Sequence, residues 1–164
     1  MAESGTSDTK PSEKDVALIV GGGPGISSSC ARLFAKHGML VAVAARNPDK
    51  PVLENLEKTH GVRRYMCDAS EPAAVALLFE NVVRDLGAPT LVVHNIDGRV
   101  PGIFGKAITD AEPGMALDTL RNSAFSAFLV GYTLFQVPSG GWRIGLAPTA
   151  FLWSFARDGR CSPL

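Results

Sequence analysis

The sequence predicts an α/β fold, a doubly wound parallel sheet of about four strands in the order 3-2-1-4 that is followed by an irregular C-terminal tail. Three observations carry that expectation. Short apolar runs at 16–20 (VALIV), 39–45 (MLVAVAA) and 90–94 (TLVVH) suit strands buried on both faces. Segments with helical apolar spacing lie between them. Those segments are opened by proline or glycine and closed by glycine, and the two patterns alternate along the chain.

The first strand, 16–20, runs directly into Gly-Gly-Gly-Pro-Gly at 21–25. A helix over 26–37 follows, with Ile26, Cys30, Leu33 and Phe34 expected near one face and Gly38 as its stop. After the second strand, Pro51 opens a helix that continues over 52–60 and ends at Gly61. The run 62–67 is a third, more polar strand, expected nearer the sheet edge. Pro72 opens the next helix, in which Val75, Leu78, Phe79, Val82 and Leu86 recur at helical spacing until Gly87. Strand four is 90–94. A long glycine-bearing loop over 95–113 then leads to a last amphipathic helix over about 115–135. Beyond Val137 neither a two-residue nor a helical period survives.

The resulting division is a polar lead at 1–14, an α/β domain at 15–137 and a tail at 138–164. Sixteen basic side chains balance sixteen acidic ones, which speaks against nucleic-acid or membrane binding driven by bulk charge. Cys30, Cys67 and Cys161 are too few and too scattered for a disulfide framework or a zinc site, so a reducing cytosol is the expected compartment. His37, His60 and His94 show no ligand spacing, so no metal is expected. The apolar stretch 124–137 is shorter than the roughly 20 residues of a spanning helix, and no membrane segment is expected.

Gly21, Gly23 and Gly25 stand between a predicted strand and a predicted helix. Backbone N–H groups at a helix start point outward and favour an anion, and glycine lets the chain approach a diphosphate closely. The segment Val20-Gly21-Gly22-Gly23-Pro24-Gly25-Ile26-Ser27 resembles the glycine motif T-G-x-x-x-G-I-G of the short-chain dehydrogenase/reductase family. Val20 replaces the threonine. Ser27 replaces the last glycine, as a small residue whose hydroxyl is expected to face the diphosphate. The resemblance continues in order over about 15–131. It implies a Rossmann-like, NAD(P)-binding oxidoreductase. Asp68 falls where the family places an aspartate beside the adenine; a turn or helix-capping role is the alternative. His94-Asn95-Ile96-Asp97 occupies the family's N-N-A-G position, where Asn95 matches. Asn122 falls where the family keeps an asparagine that supports the catalytic proton relay, and a solvated mid-helix residue is the alternative.

The end of strand two bears on cofactor choice. An acidic residue there would accept bonds from a ribose 2′-OH, but this chain has Ala45 followed by Arg46. The expectation is NADP(H) ahead of NAD(H), with a solvent-facing Arg46 as the alternative. The family's Ser, Tyr and Lys set is missing. Tyr132 is followed four residues later by Gln136 and Tyr65 by Ala69, and no lysine occurs after Lys106. Three readings follow: an NADP-dependent oxidoreductase; a non-catalytic dinucleotide-binding module or interaction partner of a full-length homologue; and a truncated chain whose family pattern breaks near Gly131. Without a fifth strand, 90–94 is expected to present an unpaired edge. The last helix is expected to expose Phe125, Phe128, Leu129 and Phe135, inviting self-association, unless Trp142, Phe151 and Trp153 fold back over it.

Overall fold

A computed structural model describes residues 14–103, 105, 107–137 and 143–146. Five strands are assigned: β1 (Val16–Val20), β2 (Leu40–Ala45), β3 (Arg63–Met66), β4 (Leu91–His94) and β5 (Arg143–Leu146). They form one sheet in the order β3-β2-β1-β4-β5, and every pair is parallel. The predicted order 3-2-1-4 is therefore present, and β3 lies at an edge as its polar sequence suggested. The expected open edge on strand four is corrected. Residues 143–146 pair with β4 from Leu91↔Arg143 to His94↔Leu146. The run RIGL has no strand periodicity of its own; the row of peptide groups along β4 is what a short segment can pair with. Trp142, Phe151 and Trp153, proposed to fold back, lie outside the described residues.

The two-residue period of β1 sorts the core. Val16, Leu18 and Val20 face one layer with Val75, Leu78, Phe79 and Val82 of α3 (Pro72–Leu86) and Leu129, Val130 and Leu134 of α5 (Ser126–Gln136). Ala17 and Ile19 face the other, with Ala31 of α1 (Ile26–Lys36) and Leu53 and Leu56 of α2 (Pro51–His60). All five β1 residues are buried, so the strand is apolar throughout rather than alternating.

Helix α1 departs from the expected face. Ile26 and Leu33 are exposed, and the buried residues are Ser27, Ser28 and Ala31. The glycine turn brings this helix so close to the strand ends that only small side chains fit beneath it.

The last predicted helix is α4 (Pro113–Leu120), a π-helical turn at Arg121–Phe125, and α5. Hydroxyls work against the regular ladder here. Thr119, Ser123 and Ser126 each donate to the carbonyl four residues earlier, those of Met115, Thr119 and Asn122, at 2.8, 2.6 and 2.7 Å. Such back-bonds compete with the peptide N–H groups and widen a turn. Leu129, expected to be exposed, is buried against the sheet. Phe125, Phe128, Tyr132 and Phe135 occupy the outer face, with rings of the first three stacked at 6.3 and 5.9 Å.

Candidate functional site

A cavity of about 470 Å³ opens at the carboxyl ends of the strands, where the chain order reverses beside β1. Its wall combines the glycine turn, the ends of β2 and β3, the turn after β4, and Asn122 from the π segment. Of the residues singled out in the sequence, Gly21, Gly23, Gly25, Ile26, Ser27, Arg46, Asp68, Asn95 and Asn122 all line it.

The glycines do different work. Gly21 has φ +105°, and a Cβ on it would stand 2.2 Å from the Asn95 carbonyl oxygen. No side chain can be accommodated there. Its N–H and that of Gly22 both donate to the Ala44 carbonyl, at 2.9 and 3.0 Å, tying the turn to β2. Gly23 and Gly25, by contrast, have no atom within 4 Å of a built Cβ. They leave open space where the chain enters α1. Gly25 caps α1 with no side-chain hydrogen bond, so the first-turn N–H groups are not consumed by a capping side chain.

Ser27 lines the cavity and also ties the frame together. It is 1% exposed; its hydroxyl donates to the Gly21 carbonyl and accepts from Asn95 Nδ2 at 2.8 Å. The serine pins the start of α1 to the ends of β1 and β4, with its one proton donated within the protein. Asn95 completes the link by donating its backbone N–H to the Val20 carbonyl at 2.8 Å.

Asp68 makes the turn and also lines the cavity. Its Oδ1 accepts from the Ser70 N–H and hydroxyl at 3.0 and 2.7 Å, which shapes the turn into α3, and its carboxylate borders the cavity. Those two bonds, then the Arg46 and Arg121 charges, hold it below the usual carboxylate range. Cys67 beside it is buried, and burial pushes its thiol up to about 11, so it is no thiolate nucleophile. Asp97 and Arg99 pair at the rim, with Nε to Oδ1 at 2.7 Å, and Asp97 is lowered to about 2 by that bond.

Behind the wall, His94 is buried with Nε2 2.8 Å from Ser126 Oγ, at the first residue of α5. Burial lowers its pKa to about 4, so it is neutral. Gly98 presses on the π segment. A Cβ there would stand 2.6 Å from Ser123, and the Gly98 carbonyl lies 3.5 Å from Asn122 Nδ2. Asn122 thus reaches the cavity through a turn held against the β4 loop, a placement its sequence position alone could not separate from a solvated one.

Neither tyrosine lines this wall. Tyr65 donates to Asp85 at 3.1 Å, and Tyr132 stacks on Phe128. Among the described residues no group of three potential metal ligands occurs, and no helix is long and apolar enough to cross a membrane. Lys50 is a lining residue that escaped the sequence reading. Lys50, the residue before α2, reaches across to donate to the Gly22 carbonyl at 3.0 Å. Its only sequence signal was a position four residues after Arg46.

A family model described as enoyl-(acyl carrier protein) reductase matches residues 21–138. Among curated proteins, an uncharacterized oxidoreductase of Caenorhabditis elegans is 39% identical over 88 residues, 51% of this chain and 28% of that protein. A probable 2,4-dienoyl-CoA reductase of the same organism is 35% identical over the same shares. The matched segment therefore spans about a quarter of these relatives' length. Among solved structures, a variant of actinorhodin polyketide ketoreductase with NADPH superposes with a TM-score of 0.71 at 25% identity, covering 81% of this chain and 52% of that one. An Anaplasma phagocytophilum enoyl-(acyl carrier protein) reductase in complex with NAD gives a TM-score of 0.73 at 20% identity, covering 82% and 53%.

Proposed function

This chain belongs to the short-chain dehydrogenase/reductase family, and we propose that its glycine-lined cavity binds NADP(H) in preference to NAD(H) without the chain alone completing an oxidoreductase cycle. One observation carries the cofactor reading. The rim beside β2 has Ala45 where an acidic residue would repel a 2′-phosphate, and Arg46 next to it lines the cavity. Among the described residues the Arg46 guanidinium makes no hydrogen bond or ion pair. The open space at Gly23 and Gly25 and the uncapped start of α1 suit the diphosphate. Asp68, with one carboxylate oxygen outside the Ser70 turn, suits the adenine amino group.

A dinucleotide held here would supply or accept the hydride. A carbonyl substrate also needs a proton partner, which is worth roughly 10²–10⁴-fold in rate. No Tyr-x-x-x-Lys exists in the sequence, and Asn122 carries no titrating proton. We read the chain as a nucleotide-binding part of an oxidoreductase, resident in the cytoplasm. The outer aromatic face of α5 favours pairing with a second copy or a full-length homologue.

The test is fluorescence titration with NADPH and NADH, followed by NADPH oxidation with a panel of carbonyl substrates. NADPH should bind more tightly, and Arg46→Ala should remove roughly 1–3 kcal/mol from NADPH binding alone. Equal affinities for the two cofactors, or steady turnover, would refute the respective half of the reading.

A further inference from the structure

The rim that Arg46 occupies holds a second cation. Lys50 lies at the amino end of α2, yet its Nζ extends back over the cavity to the carbonyl of Gly22, 28 positions earlier in the chain. Both Lys50 and Arg46 line the cavity beside Gly22 and Gly23. The acid nearest in sequence does not neutralise them, because Asp49 pairs with Arg64 at 3.1 Å on the outer side. The Arg46 charge does reach Asp68 across the cavity and helps hold that carboxyl below its ordinary value.

Those charges set a balance. A 2′-phosphate carries about −1.5 to −2 at neutral pH. Arg46 alone, partly offset by Asp68, falls short of that. A lysine bonded to a neutral carbonyl can leave it without stranding an ion, and gains a charge-assisted bond to phosphate in exchange. In this rotation Lys50 exchanges partners on one rim: Gly22 before binding, phosphate after it.

Resting on the NADP(H) reading above, we infer that Lys50 is a second specificity-determining residue that works with Arg46 as a two-cation clamp on the 2′-phosphate of the adenosine. The inference concerns binding selectivity and needs no chemistry from the chain.

The experiment compares the full chain with Lys50→Gln, Lys50→Arg, Arg46→Ala and the double variant Arg46→Ala/Lys50→Gln. Each is titrated with NADPH, NADH, adenosine 2′,5′-bisphosphate and 5′-AMP, and thermal melts report folding. Lys50→Gln should weaken NADPH and the bisphosphate by about ten-fold, the scale of one charge-assisted contact, and leave NADH and 5′-AMP within about two-fold. Lys50→Arg should keep most of the preference, and the double variant should lose it. If Lys50→Gln weakens all four ligands alike, Lys50 only supports the glycine turn and the inference fails while the NADP(H) reading stands. If Lys50→Gln changes nothing while Arg46→Ala does, the clamp has one cation and the inference fails. If Lys50→Gln does not fold, Lys50→Arg and the wild-type preference for the bisphosphate over 5′-AMP decide: loss of selectivity in a folded Lys50→Arg overturns the clamp. Absence of any preference in the wild type overturns both readings together.

Discussion

The glycine turn and the last helix face each other across one cavity, and they are built on opposite terms. On the turn side several polar atoms are tied within the frame, while the first-turn N–H groups of α1 meet no capping side chain. Gly21 and Gly22 donate to Ala44, Ser27 bridges Gly21 and Asn95, and the Ser28 hydroxyl donates to the Gly23 carbonyl. On the helix side a π turn interrupts the ladder, and one face turns a row of aromatic rings outward. The first region is fixed by contacts local to it. The second turns Phe125, Phe128, Tyr132 and Phe135 toward the surface, an apolar face of the kind that marks contact surfaces.

The sharpest way to break that contrast is to place a methyl group on two glycines of the same turn. Gly21→Ala would force a Cβ to within 2.2 Å of a carbonyl oxygen at φ +105° and should abolish cooperative folding or cost more than about 3 kcal/mol. Gly23→Ala meets no atom within 4 Å; it should leave the denaturant midpoint nearly unchanged and weaken only dinucleotide binding. Equal melting of the two variants would show that the turn is looser than its geometry.

Next in size is the pH response of the link between the two regions. His94 is held neutral in the fold, with its pKa lowered to about 4 against an ordinary value near 6.5. The unfolded chain therefore binds more protons between those values. The associated stability is fully present above about pH 6.5 and is lost as pH falls toward about 4, by up to roughly 3 kcal/mol. Urea midpoints measured from pH 7 to pH 4 should fall, and His94→Asn should flatten that part of the profile. An unchanged slope in the variant would assign the acid lability elsewhere.

The smallest effect on the monomer is expected from the outer stripe. Phe128 is 61% exposed, so Phe128→Ser removes little burial and should shift the monomer's stability by less than about 0.5 kcal/mol. Its consequence should appear in solution mass instead. Sedimentation should show the wild type self-associating and the variant less so. A monomeric wild type would mean the stripe has no partner in a second copy.

How much of this was legible beforehand differs by region. VALIV, the glycine cluster and the Pro51 and Pro72 starts declare themselves because each follows from backbone sterics and burial within a few residues. Ile26 and Leu33 misled, because helical spacing reports an apolar stripe and not the distance of closest approach. At the glycine turn that distance selected Ser27, Ser28 and Ala31. Lys50 was invisible because its significance lies in a contact 28 positions away.

The sequence by itself determined the alternation of strands and helices, the glycine turn, the absence of Tyr-x-x-x-Lys and the missing acid at Ala45, since each of these is a matter of residue type or local pattern. Only the tertiary structure decided the rest. It paired 143–146 with β4, buried Leu129, tied the Ser27 hydroxyl to the Gly21 carbonyl and brought Lys50 and Asn122 to the same cavity as Arg46. Each of those outcomes depends on which segments meet in space. A hydrogen-bonding group or a charge takes whichever partner the packed layers bring within about 3 Å, and no spacing along the chain records that choice.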